Sequence, residues 1–112
     1  MPVGYLSESQ AREYGRFPDE LTQDQLARYF HLDDADRAFV AMHRGDHNRL
    51  GVAVQLGSLR MLGTFPEDPT EAPVSALRFT ARQLSLTEPE ELIVEYTRSE
   101  GRWRHGSRIR QH

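Results

Sequence analysis

Lysine and cysteine are absent from this chain of 112 residues, and so are long apolar runs. Without cysteine there is neither a disulfide nor a thiolate zinc site, which is compatible with a reducing compartment. No apolar run approaches the roughly 20 residues that cross a bilayer. The opening "MPVGYLSESQ" lacks the charged and apolar parts of a secretory signal. We therefore expect a soluble cytoplasmic protein that does not enter a membrane.

Positive charge comes from arginine alone and is unevenly distributed. The 14 arginines face 17 acidic residues, for a formal net charge of −3. Residues 98–112 hold five arginines and one glutamate, a local charge of +4, whereas residues 1–97 hold nine arginines and 16 acidic residues, a charge of −7. An acidic body with a basic end is typical of a protein that touches a polyanion at one face, and equally of a solvated terminal helix.

The first half of the chain carries the local signals of three helices. Thr22 and Gln25 form a capping box before "LARYF", and Asp33 can cap "DADRAFVAM". Gly45 suits the end of that second helix, and Asp46 can cap a third that continues through "VAVQLGSLRML". This third helix is apolar on nearly every side, so we expect it to be the buried one. Its glycines, Gly51 and Gly57, would let neighbouring helices approach it closely. The alternation in "VAVQL" also permits a strand, but the apolar pattern continues at helical spacing to Leu62.

The second half follows a break at "TFPEDPTEAP" and also has helical spacing. A helix is expected after Pro73, and Thr87 with Glu90 reads as a second capping box. A further helix bent near its glycines is expected in the tail, and an opening helix near residues 7–14.

The fold class is therefore all-α, a small multi-helix bundle with helix-turn-helix-like units. Residues 1–112 are taken as one module, with a possible division into 1–65 and 73–112 at the proline-rich turn. The expected core is Leu26, Tyr29, Phe30, Phe39, Val40, Leu50, Val54, Leu59, Leu62, Leu77, Leu84, Leu92, Ile93 and Trp103.

Residues 26–45, "LARYFHLDDADRAFVAMHRG", have the layout of a helix-turn-helix. Such a unit places its second helix in the major groove, where arginine binds guanine or phosphate. That helix would present Arg37, His43 and Arg44. Two helices with a short turn are common in any bundle, and three aspartates at the start of the helix oppose its close approach to phosphate. The contact could instead come from the loop or from the helix after Gly45.

The segment "HRGDHNRLG" at 43–51 groups polar side chains between two apolar runs. His43 and His47 are four residues apart with Asp46 beside them, the spacing of a metal pair or of a small metal-dependent enzyme. Gly45 breaks the helix between them, and no third imidazole is near in sequence. Asn48 and Arg49 have a structural alternative to ligand contact, in which Asn48 bonds a helix end and Arg49 pairs with an acid.

The tail "RSEGRWRHGSRIR" combines arginines with one tryptophan and one histidine. On a helix, Arg98, Arg102 and His105 would share a face, as would Arg104 and Arg108. Guanidinium groups at this density can neutralise several phosphates, so affinity for DNA should fall steeply with salt. Trp103 and Ile109 are expected to anchor the tail in the core.

Across nearly its whole length the chain resembles the N-terminal region of the Tn-three family transposases, which are replicative DDE-type enzymes of bacterial transposons. The resemblance is carried in order by "GRFP", "LTQDQLARYFHL", "DDADRAFVAMHRGDHNRLG", "QLGSLRMLGTF", "ARQL" and "RWRHGSRIR". It implies helical modules that recognise terminal inverted repeats. In that family cleavage belongs to a distant C-terminal domain with metal-binding acids, and nothing in this chain matches it.

The resemblance and the residues together predict sequence-specific binding of double-stranded DNA at transposon end repeats. The alternative is a protein–protein module for subunit assembly of the same transposase. We expect no catalysis by this chain and no cofactor or metal. The expected partners are DNA, the remaining transposase domains, and a second copy through the full-length protein. The candidate DNA-binding residues are Arg37, His43, Arg44, His47, Asn48, Arg49, Arg98, Arg102, Arg104, His105, Arg108 and Arg110.

Overall fold

The computed structural model of the protein describes residues 16–66, 68–99 and 108–112. Within these ranges the chain forms helices joined by short loops, and none of the described residues lies in a β-strand. The all-α prediction is confirmed. The expected opening helix near residues 7–14 and the anchor Trp103 fall outside the described residues.

The first helix starts at the predicted capping box, and the second starts at the predicted cap, Asp33. Helix α1 begins as an α-helix over Gln23–Gln25 and continues with π-helical bonding over Leu26–Phe30. The Thr22 hydroxyl accepts a bond from the Gln25 amide at 3.1 Å, and the Gln25 side chain accepts one from the Thr22 amide at 2.9 Å. Helix α2 spans Asp34–Ala41, and Asp33 caps it in the same reciprocal way with Asp36. These bonds satisfy amides that have no partner inside the helix.

Helix α3, Asp46–Leu62, is the central element. Every residue from 50 to 58 is buried, in agreement with the expected buried helix. Its N-cap is Gly45, with a φ of 87°, so the prediction that Asp46 would cap it is wrong. Asp46 already has helical backbone as the first residue of α3, and only glycine adopts the preceding left-handed conformation without strain.

After α3 come a 3₁₀ turn at Pro69–Glu71, helix α4 at Val74–Gln83 and helix α5 at Pro89–Arg98. A last helical turn covers residues 108–111. The capping box predicted from Thr87 is wrong, because α5 begins after Glu88 in a left-handed conformation and no side chain caps it. A box from Thr87 would need helical backbone at Glu88, which a following proline disfavours.

The other described helices pack around α3, at two places against its glycines. A side chain at Gly51 would collide with the ring of Tyr96 on α5, and one at Gly57 with the ring of Phe30 on α1. The two glycines therefore allow both aromatic rings to lie against the α3 backbone, as the sequence predicts. The Tyr96 hydroxyl also accepts a bond of 2.8 Å from Gln55.

Most of the expected core is buried among the described residues. Leu26, Phe30, Val40, Leu50, Val54, Leu62, Leu77 and Ile93 are buried, and Ile109 is buried as the expected tail anchor. Tyr29, Phe39, Leu59, Leu84 and Leu92 are partly buried and pack against these residues. No helix in the described ranges is long and apolar enough to cross a membrane.

Helix α2 has α3 as its packing partner, and in the described part of the chain it makes no helix–helix contact with α1. Helix α1 instead packs on α3 and α4. Residues 42–45 form a four-residue connection between α2 and α3. The side of α2 opposite α3 consists of exposed residues and is open to solvent.

Candidate nucleic-acid interface

The two faces of α2 differ sharply in character. Asp36, Val40 and His43 at its inner side are buried. Its outer side carries Asp34 in the first turn and, beyond it, small or apolar side chains at helical spacing, and all of these are exposed. These outward residues are Asp34, Ala35, Ala38, Ala41 and, just after the helix, Met42, which is 73% exposed. We call them the outer face of α2; a macromolecule could approach this helix closely because few side-chain atoms project from it.

Asp36 holds α2 to two distant parts of the chain. Its carboxylate, which is 4% exposed, accepts two bonds from the Arg60 guanidinium of α3, at 2.8 and 3.0 Å. It accepts a third from the imidazole Nε2 of His112 at 2.8 Å. The bonds from Arg60 hold the pKa of Asp36 well below its ordinary value against the opposing effect of burial, and the bond from His112 lowers it further. The sequence alone indicates Asp36 only as one of the three aspartates at the start of α2.

Arg37 lies at one edge of the outer face. Its Nε donates to the Leu32 carbonyl at 3.3 Å and its Nη1 to the Gln83 carbonyl at 2.9 Å. The Gln83 side chain in turn accepts from the Leu32 amide at 2.8 Å and donates to the Phe30 carbonyl at 2.9 Å. The turn before α2 is therefore tied to the end of α4, and Arg37, though exposed, is held at this junction.

The joint between α2 and α3 uses its polar side chains to satisfy backbone carbonyls. His43 Nδ1 lies 3.1 Å from the Phe39 carbonyl and 3.3 Å from that of Val40; because carbonyls only accept, this nitrogen carries the proton. Asn48 donates to the Arg44 carbonyl at 2.8 Å, and the Arg49 Nε donates to the His43 carbonyl at 3.0 Å. These bonds fix the angle between the two helices.

The two remaining residues predicted at this joint face elsewhere. Arg44 is exposed, and His47 Nδ1 lies 3.6 Å from Glu95 on α5. His43 and His47 thus have different partners and do not converge on a common point. Among the described residues, no group of three or more histidine, aspartate or glutamate side chains could hold a metal ion.

The arginines of the tail are placed only in part. Arg98 ends α5 and is exposed, and Arg108 and Arg110 are exposed on the last helical turn. The guanidinium of Arg110 lies 4.6 Å above the centre of the Phe65 ring. Arg102, Arg104 and His105 fall outside the described residues.

Carboxylates neutralise some of the described arginines and leave others available. Arg28, Arg49, Arg60 and Arg78 each lie within 4.0 Å of an aspartate or glutamate. A second group has no described carboxylate within this distance. It comprises Arg16, Arg37, Arg44, Arg82, Arg98, Arg108 and Arg110. The available positive charge therefore includes an edge of α2, the joint after it and the last turn.

Helix α5 presents the opposite charge. Glu90, Glu91 and Glu95 surround the half-exposed Val94 at a surface cavity of about 420 Å³, which Arg98 also lines. The neighbouring charge of Glu88 raises the pKa of Glu91 above its ordinary value. A polyanion would be repelled from this side of the molecule.

Residues 5–112 match a family described as a domain of unknown function, DUF4158. The chain belongs to this family. It is 48% identical over 92 residues to the transposase for transposon gamma-delta of Escherichia coli K12, a stretch that covers 82% of this chain and 9% of that protein. The transposase for transposon Tn501 of Pseudomonas aeruginosa is 35% identical over 80% of the chain, and that for Tn3926 of Escherichia coli 36% over 85%.

The resemblance to the Tn-three family transposases is thereby confirmed. This DUF4158 chain spans about 9% of the length of the three relatives. No solved structure matches it. A transposase-related role follows from the relatives, whereas the contacts that this chain makes have to be argued from its own surface.

Proposed function

We propose that the chain is a double-stranded DNA-binding module that recognises the terminal inverted repeats of a transposon as part of a transposase. The observation that carries the proposal is the outer face of α2, which is open, made mostly of small side chains with Asp34 at its start, and bordered by arginine without a described carboxylate beside it. The relatives support it, since they are transposases, and a transposase must distinguish the ends of its element from other DNA.

The dimensions of α2 suit the major groove. An α-helix with its side chains is about 10–12 Å in diameter, and the major groove of B-DNA is about 12 Å wide. The methyl groups of Ala35, Ala38 and Ala41 allow the helix backbone to approach the base edges and can contact thymine methyls. Asp34, at the exposed start of the helix, can accept a bond from a cytosine amino group. Arg37, at the edge, is exposed; its Nε and Nη1 are bonded to carbonyls, and its Nη2 is the group offered to a phosphate.

Helix α3 is unsuitable as the helix that contacts the base edges, because its residues 50–58 are all buried. Its first turn can still add backbone contacts beside α2. Arg44 and His47 are the candidates there, since His43 is buried and Asn48 and Arg49 are bonded to carbonyls of the joint. Phosphate contacts of this kind orient a protein on the duplex without specifying sequence.

Fluorescence anisotropy with a labelled end-repeat duplex and a scrambled duplex tests the proposal. The inverted repeat of transposon gamma-delta is a suitable first duplex, given the identity to its transposase. We expect Ala38→Glu, which puts a charge in the centre of the outer face, to abolish the preference for the repeat. Val94→Glu adds the same charge on α5 and should preserve that preference. Equal affinity of the unmodified chain for both duplexes would overturn the proposal.

A second candidate function is subunit assembly, and the acidic side of α5 is the observation that favours it. Val94, surrounded by Glu90, Glu91 and Glu95, is suited to a protein partner with basic residues around an apolar side chain. Sedimentation of the chain with the remaining transposase domains would test it. Complex formation lost in Val94→Arg, together with no preference for repeat DNA, would favour assembly over DNA recognition.

A further inference from the structure

We infer that residues 108–112 form a strap that fastens to α2 and supplies phosphate contacts on the side of α2 opposite Arg37. The inference rests on the proposed function and extends it, because it assigns the two sides of α2 to the two phosphate backbones that border a groove. The strap is defined by residues 108–112 and by its contacts with α2 and α3.

Three side chains of the strap make specific contacts. The His112 imidazole stacks on the Phe39 ring with centroids 4.4 Å apart and an interplanar angle of 11°, while its Nε2 meets the Asp36 carboxylate at 2.8 Å. Ile109 is 1% exposed in a cluster that includes Leu32 and Val40. Arg110 lies over Phe65. Stacking, burial and a hydrogen bond to a buried carboxylate together fix the position of the strap.

The strap and Arg37 lie on opposite flanks of α2. At roughly 100° per residue, Phe39 and Arg37 are about 160° apart around the helix axis. The contacts agree with this estimate: Arg37 reaches the Gln83 carbonyl of α4, whereas Phe39 carries His112 of the strap. The outer face, with Ala38 near its centre, lies between the two flanks. The strap and the Arg37 guanidinium therefore border the open face of α2 on opposite sides.

Arg108 is the strap residue best placed for a phosphate. The His112 amide donates to the Arg108 carbonyl at 3.1 Å, so the two residues are one helical turn apart and share a face of the strap. Because His112 is stacked on α2, Arg108 is held close to that helix. Its side chain is exposed and no described carboxylate lies within 4.0 Å of it. The partner it fits is the phosphodiester backbone on the flank of the groove away from Arg37.

A strap with a purely structural role would give a different pattern of salt dependence from one that presents Arg108. The logarithm of the DNA association constant falls with the logarithm of salt by about 0.9 for each phosphate neutralised in B-DNA. A lost phosphate contact therefore lowers this slope. A loss of stability reduces the number of folded molecules, but those molecules still bind DNA with the same salt slope. The experiment measures slopes for the end-repeat duplex in four chains: the parent, Arg108→Ala, His112→Ala and the double variant.

We expect Arg108→Ala to reduce the slope by about 0.9 in the parent and to have no further effect in the His112→Ala background. The reason is that Arg108 contacts DNA only while His112 holds the strap. Arg78→Ala is the control, because this exposed arginine is paired with Glu90 and its loss should leave the slope unchanged. If circular dichroism shows His112→Ala to be unfolded, His112→Gln replaces it, since glutamine retains a donor for Asp36 without the stacked ring.

Two further outcomes distinguish a failure of the strap inference from a failure of the proposed DNA-binding function. An equal effect of Arg108→Ala in both backgrounds, or no effect in either, would overturn the strap while repeat-specific binding by the parent still stood. Absence of duplex binding by the parent would overturn both. The docking is also measurable without DNA: the His112 ring protons should show upfield NMR shifts from Phe39 that Phe39→Leu removes.

Discussion

The buried carboxylate of Asp36 forms hydrogen bonds with residues that are near it in the sequence and with residues that are far from it. Asp36 completes the capping box of α2 with Asp33 and also accepts bonds from Arg60 and His112, which are 24 and 76 residues away. The capping role depends on neighbours three residues apart and was predictable from the sequence. The two distant partners depend on α3 and the strap meeting at α2, which no local spacing indicates.

We expect Asp36→Asn to lower the free energy of unfolding by about 3 kcal/mol at neutral pH. This is the low end of the range for breaking a buried ion pair, because the Arg60 side chain is 36% exposed and stays partly solvated. Urea unfolding followed by circular dichroism measures the change. Asp34→Asn is the matched control, since Asp34 is exposed, and should change stability by less than about 0.5 kcal/mol. Equal losses in the two variants would contradict the assigned role of Asp36.

The same carboxylate should make stability depend on acid pH. The pKa of Asp36 is lowered by folding, so the unfolded chain binds the proton more readily. The contribution of Asp36 is therefore complete above its unfolded pKa of about 4 and is lost as pH falls toward its folded pKa. Urea unfolding at several pH values between about 6 and 3 should show a steeper loss in the parent than in Asp36→Asn. Parallel curves would exclude Asp36 as the source.

At the scale of elements, helix caps predicted from residues three or four positions apart formed only where the backbone conformation was compatible with them. The capping box at Thr22 and the cap at Asp33 formed as predicted. The predicted caps at Asp46 and Thr87 did not form, because positive φ angles at Gly45 and Glu88 set where α3 and α5 begin. These backbone conformations result from how the loops return the chain to the core, which side-chain type alone does not reveal.

Close packing at Gly51 gives a test of how α3 and α5 fit together. Gly51→Ala should destabilise the chain by about 1–3 kcal/mol, because the new methyl group would collide with the Tyr96 ring, even though alanine favours helix by about 1 kcal/mol. In the Tyr96→Ala background the same substitution should be neutral or stabilising. Thermal and urea unfolding of the four chains measure this coupling. An equal cost in both backgrounds would show that the ring is not the obstacle.

At the scale of the whole molecule, charge is clustered locally rather than averaged to −3. Glutamates of α5 line one surface cavity, and one of them, Glu95, lies 3.6 Å from His47 at the start of α3. Several arginines that look equivalent in sequence, such as Arg60 and Arg78, are neutralised by carboxylates. The proposed division into 1–65 and 73–112 stays a prediction.

The tail arginines outside the described residues carry a prediction of their own. Arg102→Ala and Arg104→Ala should each weaken binding to repeat and scrambled duplexes by a similar factor and lower the salt slope by up to about 0.9, as expected for phosphate contacts. Anisotropy titrations over a series of salt concentrations measure both quantities. Affinities equal to that of the parent at every salt concentration would remove these two residues from the proposed interface.

The sequence by itself determined the all-helical class, the burial of α3, the close approaches at Gly51 and Gly57, and the transposase family. Helical periodicity, local capping and motif order are properties of neighbouring residues, so they can be read without a structure. Only the tertiary structure decided which polar groups remain available for a partner. It buried His43, bonded Asn48 and Arg49 into the joint, neutralised Arg60 with Asp36, and placed the strap beside α2. Whether a polar group is available for a partner depends on which distant groups contact it. Those contacts are determined by the packing of the helices.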